Sequence, residues 1–260
     1  MAQAFLMLNG NSVETRHLPD PRERVLPGIR WGRLQHFFTP AFWYTRVLIA
    51  EQRGFPEKPR LGHTLAEEVG ACLLGGYGMR AEVGLVAFRR LKDHGVFCET
   101  PSPHRIVQLL EAPLQVGDEV VRYRYPRQRG HYLSVALRRL VDERPPEEDR
   151  TFRRWLLGFA GIGPKTASWI TRNWLGSDCV AVIDVHVRRA GLLLGIFQED
   201  MEPSRHYFDM EQAFLEFAGA IRVRASILDA VMWSHMRSMR CAALRAAAAD
   251  NRTKSTGRER

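Results

Sequence analysis

The chain has 260 residues, of which 45% are hydrophobic and 26% charged, and it carries a formal net charge of +9. This length suffices for one large domain or two smaller lobes, and because no apolar run is long enough to span a membrane we expect a soluble protein without a membrane partner. The excess of positive charge fits a protein that binds a polyanion, and a generic basic protein is the alternative.

The first 62 residues are predicted to form an N-terminal arm and an aromatic segment that packs on the core. Turn-forming residues favour an extended arm over residues 1–30. The aromatic residues that follow are dense enough to indicate a buried surface. They are Trp31, Phe37, Phe38, Phe42, Trp43 and Tyr44. Residues 63–249 are predicted to form the main domain, and residues 250–260 a disordered basic tail.

Helical periodicity begins at Thr64, which forms a predicted capping box with Glu67, and a Gly-Gly-Tyr-Gly run at residues 75–78 interrupts it. The apolar run 179–183 fits either a buried strand or a compact apolar segment, and residues 120–125 fit a strand. Further helices are predicted around residues 80–94, 102–110, 132–140, 152–157, 185–194, 210–221 and 225–240. The sequence therefore predicts a mainly α protein, of the all-α class.

A glycine-rich turn, Leu-Gly-Phe-Ala-Gly-Ile-Gly-Pro-Lys-Thr-Ala, occupies residues 157–167. Glycine lets the backbone approach a ligand closely, and Pro164 suits the first position of a helix. Lys165 then lies in the first turn of that helix, where free amides favour a phosphate. Gly161, Gly163 and Thr166 are accordingly predicted to lie where a phosphate binds.

Lysine is rare in this chain, since 4 of its 38 basic residues are lysines. A GC-rich genome would produce the same bias. However, arginine stays charged, whereas lysine can lose its proton and act as a nucleophile. A lysine at the glycine-rich turn therefore favours covalent chemistry, and phosphate binding is the alternative.

The glycine-rich turn is followed by Lys165-Thr166-Ala167 and then by an apolar segment that ends in Ile183-Asp184-Val185-His186. This pattern resembles the DNA glycosylase superfamily that is named for its helix-hairpin-helix, Gly/Pro-rich loop and aspartate. Within it, the lysine resembles that of the bifunctional members. The segment from Arg124-Tyr125-Pro126 to Tyr132 is similar to archaeal-type 8-oxoguanine DNA glycosylases. The resemblance spans roughly residues 64–240 and implies two helical lobes with an active-site cleft between them.

The chain departs from this family at four places. Ala160 replaces the usual proline of the hairpin, and residues 75–78 replace a Ser-Gln motif that fills the gap left by a flipped base. The C-terminal tail differs too, so its role in base recognition does not transfer. No four-cysteine cluster is present, which favours the 8-oxoguanine branch over endonuclease III-like proteins. We expect no redox cofactor, no iron–sulfur cluster and no metal site, apart from an alkali metal ion that hairpin carbonyls could hold.

The resemblance implies that Lys165 is the nucleophile and that Asp184 is its catalytic carboxylate. The amine of Lys165 would attack C1′ of a flipped nucleotide, and Asp184 would accept a proton and stabilise charge on the sugar. Asp184 is also predicted to cap the next helix, which is compatible with catalysis.

Aromatic and basic residues complete the predicted site. Trp169, one helical turn after Lys165, and Trp233 are predicted to stack on the extruded base, with burial in the core as the alternative. The resemblance implies that the hairpin residues Gly161, Gly163 and Thr166 contact DNA, and that Tyr77, His186 and Arg189 do so too. For His186 and Arg189, a place on the surface without a contact is the alternative. Basic residues of a predicted phosphate track, which a solvated helix face would also explain, are Arg122, Arg124, Arg127, Arg129, Arg138 and Arg139.

These observations predict a bifunctional DNA glycosylase and AP lyase of base excision repair that removes 8-oxoguanine from double-stranded DNA. We expect a monomer that acts in the cytoplasm, on the DNA of the nucleoid. A glycosylase for another modified or oxidised base is one alternative, and a non-enzymatic helix-hairpin-helix module that binds DNA is the other.

Overall fold

Helices dominate the computed structural model, which describes residues 2–9, 12–55, 59–76, 78–98 and 101–239. The helices are α1 (Pro40–Gln52), α2 (Leu65–Leu74), α3 (Ala81–Asp93), α4 (Pro103–Glu111), α5 (Pro126–Asp142), α6 (Asp149–Leu157), α7 (Pro164–Leu175), α8 (Val185–Leu194), α9 (Tyr207–Ala220) and α10 (Ala225–Ser238). The prediction of a mainly α protein is confirmed.

The described strands form three separate antiparallel hairpins. They are β1 (Gln3–Asn9) with β2 (Ser12–Leu18), β3 (Arg24–Leu26) with β4 (Ile29–Arg30), and β5 (Leu114–Val116) with β6 (Glu119–Val121). The expectation of an extended arm over residues 1–30 was wrong, because two of the hairpins lie there. The strand predicted at residues 120–125 is shorter than expected and ends at Val121.

Helix starts follow the polar residues that precede them. Thr64 Oγ1 accepts a hydrogen bond of 3.2 Å from the amide of Glu67, as the predicted capping box requires. A capping box would pair the carboxylate of Glu67 with the amide of Thr64, but it accepts a hydrogen bond of 2.7 Å from the amide of His63, one residue earlier. On α1 the cap is Thr39, whose side chain accepts the amide of Phe42.

The first compact unit combines the N-terminal segment with the C-terminal helices, residues 2–55 with 181–239. The second consists of the described part of residues 57–180. The chain first passes from one unit to the other between residues 56 and 57, close to the domain boundary that we expected between residues 62 and 63. The expected main domain, 63–249, is divided between the units, and the expected tail, 250–260, lies outside the described residues.

The first unit has an aromatic core. Phe42 and Trp43 are buried on α1, as is Trp31 before it. They belong to one apolar cluster with residues of α8, α9 and α10. The prediction that this aromatic segment packs on a core is confirmed, although Phe37 stays 49% exposed.

The apolar run 179–183 is neither helix nor strand, and in the first unit its backbone is held by side chains. The amide of Ala181 donates to the carboxylate of Glu211 at 3.0 Å, and that of Val182 donates to Asp229 at 2.8 Å. The interpretation as a compact apolar segment is therefore confirmed. Buried amides need partners, and here carboxylates supply what a neighbouring strand would.

The second unit packs α2 to α7 around an apolar cluster that includes Leu73, Leu91, Ile106 and Phe152. Hairpin β5–β6 lies against α3. In the part of the chain that the structure describes, no helix is long and apolar enough to cross a membrane.

Candidate active site

The predicted helix-hairpin-helix lies in the second unit, where α6 ends at Leu157 with Gly158 as its C-cap and α7 begins at Pro164. Gly161 has a φ of +78°, and a Cβ added there would fall 2.1 Å from Cδ2 of Tyr132 on α5. Only glycine satisfies both constraints. A Cβ at Gly163 would meet nothing within 4 Å, so this side of the backbone is open.

Arg139 of α5 holds the first arm of the hairpin in place. Its Nη1 donates to the carbonyl of Gly158 at 2.6 Å, and its guanidinium lies 4.3 Å from the ring centre of Phe159. Its Nε donates to Glu143, which also accepts the indole N–H of Trp155 at 2.6 Å. These two hydrogen bonds, Arg139 first, lower the pKa of Glu143. Arg139, expected in a phosphate track, therefore supports the hairpin instead.

Lys165 occupies the second position of α7, directly after Pro164, and is half-buried. The first turn of α7 contains no acidic residue. Its neighbour Thr166 is buried at 8% exposure, which leaves little of that side chain for the predicted contact with DNA.

The charge of Lys165 acts on the pKa of a buried thiol, that of Cys72 on α2. The pKa of Cys72 is raised well above its usual value, chiefly by burial and then by the charge of Glu68. The positive charges of Arg172 and Lys165 oppose that increase.

A buried polar network joins the same two helices. Glu68 is fully buried, and its Oε2 accepts the amides of Leu61 at 2.6 Å and Gly62 at 3.0 Å. Its Oε1 accepts the side-chain amide of Asn173 at 2.8 Å. Arg172 donates to Asn173 Oδ1 through Nε and Nη2. Sequence reasoning missed this network, because Glu68 and Asn173 occur in helices with no motif that marks a buried polar residue.

Trp169 follows Lys165 by one helical turn on α7 and is half-buried. It packs at the margin of the apolar cluster of the second unit. The edge of its indole faces the glycine loop after α2, since a Cβ at Gly75 would lie 3.4 Å from Cη2 of Trp169. The indole is therefore partly in the core and partly against Gly75, which has no side chain.

Arg129 of α5 approaches the same glycine loop. A Cβ at Gly76 would lie 3.0 Å from its Nη2, so the guanidinium is in close contact with the backbone there. Arg127 is 87% exposed in its side chain and forms an ion pair of 3.2 Å with Glu111. Tyr77, predicted to contact DNA, lies outside the described residues.

Asp184 lies in the first unit as the cap of α8, as predicted. One oxygen, Oδ1, accepts the amides of His186 at 2.8 Å and Val187 at 2.9 Å. The other, Oδ2, accepts no hydrogen bond from any residue that the structure describes. The cap thus fixes the carboxylate and leaves one oxygen for chemistry.

Trp233 of α10 packs beside the start of α8. Its ring meets that of His186 edge-on, with centroids 6.3 Å apart, and the guanidinium of Arg237 lies 4.9 Å from its centre. The Nδ1 atom of His186 is buried without a hydrogen-bond partner in the described part of the chain. Arg189, on the same helix, is half-buried. His186 therefore contacts Asp184 through its backbone amide and Trp233 through its ring.

Metal ligands do not cluster in the residues that the structure describes, where no group of three or more His, Cys, Asp or Glu side chains could hold an ion. Three cysteines of the described part, Cys72, Cys98 and Cys179, are free thiols. The expectations about cofactors and an alkali metal ion at the hairpin stay predictions.

The hairpin, the lysine in the first turn of α7 and the aspartate that caps α8 are all present, and a family model agrees with them. This model, described as 8-oxoguanine DNA glycosylase, matches residues 57–223. The chain belongs to this family. It is thus a DNA glycosylase of the base-excision-repair type.

Solved structures share the fold of this glycosylase. The 8-oxoguanine DNA glycosylase of Thermotoga maritima is 24% identical, with a TM-score of 0.57 over 77% of this chain and 98% of that one. The 8-oxoguanine glycosylase/lyase of Methanocaldococcus jannaschii, in complex with a 15mer DNA containing 8-oxoguanine, is 22% identical, with a TM-score of 0.53 over 77% and 91%.

A trapped covalent complex of endonuclease III with DNA is also similar to this glycosylase in structure. It is 16% identical, with a TM-score of 0.53 over 74% of this chain and 82% of that one. No curated protein matches the glycosylase in sequence.

Proposed function

We propose that this glycosylase removes 8-oxoguanine from double-stranded DNA and then cleaves the strand as an AP lyase. The observation that carries the proposal is the position of Lys165, in the first turn of α7 directly behind the hairpin. A module that only binds DNA needs a positive charge there, which arginine would supply, and no nucleophile. The solved complex of the Methanocaldococcus enzyme with DNA containing 8-oxoguanine supports the choice of substrate.

Lys165 is the nucleophile of the proposed reaction. Its neutral amine forms a bond to C1′ of the extruded nucleotide, while the bond from C1′ to the base breaks and the base leaves with that electron pair and a proton. The sugar ring opens to a Schiff base on Lys165. Loss of a proton from C2′ then expels the 3′ phosphate by β-elimination, which is the lyase step.

Asp184 is the proposed catalytic carboxylate. Because the cap bonds occupy Oδ1, Oδ2 is the oxygen that accepts the proton of the amine and stabilises positive charge on the sugar. The N-cap geometry supports this role, since it fixes the carboxylate before the substrate binds.

The remaining predicted residues would hold the nucleotide and the DNA. We assign stacking on the extruded base to Trp169, one helical turn after Lys165, and to Trp233, whose ring lies against that of His186. Backbone amides at Gly161 and Gly163 would bind phosphate, as would His186. Phosphate contacts from Arg127, Arg129 and Arg189 complete the proposal, and binding should weaken with salt. We propose a monomer that acts in the cytoplasm, on the nucleoid.

The rival within the family is a glycosylase that removes another modified or oxidised base. It would use the same Lys165 and Asp184, so only the substrate separates it from the proposal. A non-enzymatic DNA-binding module is the rival outside catalysis.

Release of the base, measured on duplexes that carry 8-oxoguanine, an oxidised pyrimidine or no lesion, tests the proposal. We expect release of 8-oxoguanine by the wild type and none by Lys165→Arg, which keeps the charge and removes the nucleophile. Lys92→Arg is the matched control, because arginine can keep the ion pair of Lys92 with Glu67. Preferred release of another base would contradict the substrate, and full activity of Lys165→Arg would contradict the mechanism.

A further inference from the structure

The N-terminal hairpin β3–β4 carries two arginines directly opposite each other. Arg24 and Arg30 are cross-strand partners, and both are exposed. Like charges at this position repel each other and destabilise a hairpin. In the described part of the chain neither forms an ion pair with an acidic residue. Both therefore present positive charge to solvent at a cost in stability.

Two other arginines of the N-terminal residues 12–34 form ion pairs with acidic residues. Arg16 forms an ion pair of 2.8 Å with Glu14 on the same strand. Arg22 bonds to Asp20 at 3.1 Å, and this hydrogen bond is the main cause of the lowered pKa of Asp20. The segment thus pairs some arginines with acids and leaves Arg24 and Arg30 unpaired.

The backbone beneath these arginines is fixed by hydrogen bonds. The side chain of Gln3 donates to the carbonyl of Gly32 at 2.9 Å and accepts the amide of Leu34 at 2.8 Å. The amide of Trp31 donates to the carbonyl of Glu23 at 2.9 Å. Little ordering of the backbone would be needed on binding, which favours affinity.

A third arginine, Arg33, lines a cavity together with Asp20 and residues on either side of the hairpin in sequence. The cavity has a volume of about 480 Å³, and Arg22, Gln3 and Gln35 also line it. Among the described residues, Arg33 has no acidic partner. On the other side, Val25 and Leu26 pack against the core of the first unit. The apolar residues anchor the segment and the arginines remain available.

We propose that Arg24, Arg30 and Arg33 form a second DNA-binding surface that contacts the phosphate backbone. This inference rests on the proposed function, which makes duplex DNA the substrate. The guanidinium group matches phosphate through two parallel hydrogen bonds, and bound phosphate removes the repulsion between Arg24 and Arg30. These residues lie outside the region that the family model matches, residues 57–223, so the surface is additional to the hairpin motif.

The salt dependence of binding to a labelled undamaged duplex tests this surface. The double variant Arg24→Gln/Arg30→Gln removes two phosphate contacts, so the slope of log affinity against log salt should become shallower by about 1.8. The control Arg16→Gln/Arg144→Gln removes the same charge from two arginines that are in ion pairs with acids. We expect the control to keep the wild-type slope.

Two further readouts separate the possible failures. Removal of the repulsion should maintain or raise the midpoint of thermal unfolding, so a lowered midpoint would identify a misfolded variant. In that case Arg24→Lys/Arg30→Lys, which keeps both charges, replaces the glutamine variant. It should bind DNA more weakly than the wild type with the same salt dependence. An unchanged slope in Arg24→Gln/Arg30→Gln, with wild-type release of 8-oxoguanine, overturns this surface alone. Equal loss in the control also overturns it. A wild type that neither binds duplex nor releases base overturns the proposed function.

Discussion

The side-chain amide of Asn173 donates a hydrogen bond of 2.8 Å to the carboxylate of Glu68, and so joins the helix that carries Lys165 to α2. Both side chains are buried. A buried carboxylate is costly unless its oxygens are hydrogen-bonded, and here Glu68 also accepts the amides of Leu61 and Gly62. The side chain of Glu68 therefore links three parts of the second unit, namely Leu61 and Gly62, helix α2 and helix α7.

Glu68→Gln should destabilise the protein by roughly 2–4 kcal/mol, because the amide of glutamine puts a donor against donors that the carboxylate now accepts. Denaturation with urea measures this loss. Glu147→Gln is the control, since Glu147 is 88% exposed in its ion pair with Arg144 and should change stability by less than about 0.5 kcal/mol. Equal losses in the two variants would mean that the buried network does not stabilise the fold.

Gly161→Ala should destabilise the hairpin, because alanine is strained at a φ of +78° and its methyl group would overlap the ring of Tyr132. We expect a loss of roughly 2–4 kcal/mol and weaker DNA binding. Tyr132→Ala should remove part of that loss in the double variant, and a double-mutant cycle measures the part that is steric.

Gly219→Ala is the control for this prediction. It lies in α9, where a Cβ would meet nothing within 4 Å, so alanine should stabilise the protein by roughly 0.5–1 kcal/mol. A Gly161→Ala variant as stable as the wild type would show that the turn can relax away from Tyr132.

Much of the fold followed from local patterns. The cap at Thr64, the break at Gly75 and the start of α7 at Pro164 depend on residues close in the chain, and the structure has all three. The two N-terminal hairpins could not be predicted from the sequence. In β1, for example, Leu6 and Leu8 are exposed apolar residues, so the strand lacks the alternation of polar and apolar residues by which a strand is recognised.

The site followed from the sequence only where a motif marks it. The hairpin motif located Lys165, and its distant aspartate located Asp184, whose role as a cap is also readable from the sequence. The support for the hairpin did not follow. Arg139 looks like any basic residue of an exposed helix, and its bond to Gly158 joins residues that become neighbours only in the folded chain.

Trp169→Ala should reduce discrimination between 8-oxoguanine and guanine by about tenfold to a hundredfold, because stacking on one base is worth about 1–3 kcal/mol. Single-turnover rates of base release on the two duplexes measure the ratio. Trp174→Ala is the matched control, since Trp174 is half-buried on the same helix under the guanidinium of Arg60. If both variants keep the wild-type ratio, Trp169 is a core residue alone.

The stability of the first unit should depend on pH through His235. Burial is the main cause that lowers its pKa from 6.5, and the charge of Arg46 adds to it, whereas a hydrogen bond to the carbonyl of Val231 opposes it. Since the unfolded chain then binds a proton more readily, stability is complete above pH 6.5 and falls as the pH decreases toward the lowered pKa.

Urea denaturation at a series of pH values measures this dependence. His235→Gln should make this dependence flatter below about pH 6.5, by at most about 1.4 kcal/mol per pH unit. The control His104→Gln changes an exposed histidine and should leave the dependence as in the wild type. Identical pH dependence in wild type and His235→Gln would contradict the prediction.

Trapping with borohydride is the most direct test of the nucleophile. The protein is incubated with a duplex that carries 8-oxoguanine, borohydride reduces any Schiff base to a stable amine, and mass spectrometry of the digested adduct identifies the modified residue. We expect a covalent adduct on Lys165 in the wild type and in Lys92→Arg, and no adduct in Lys165→Arg. Base release by the wild type without any adduct, or an adduct on another residue, would contradict it.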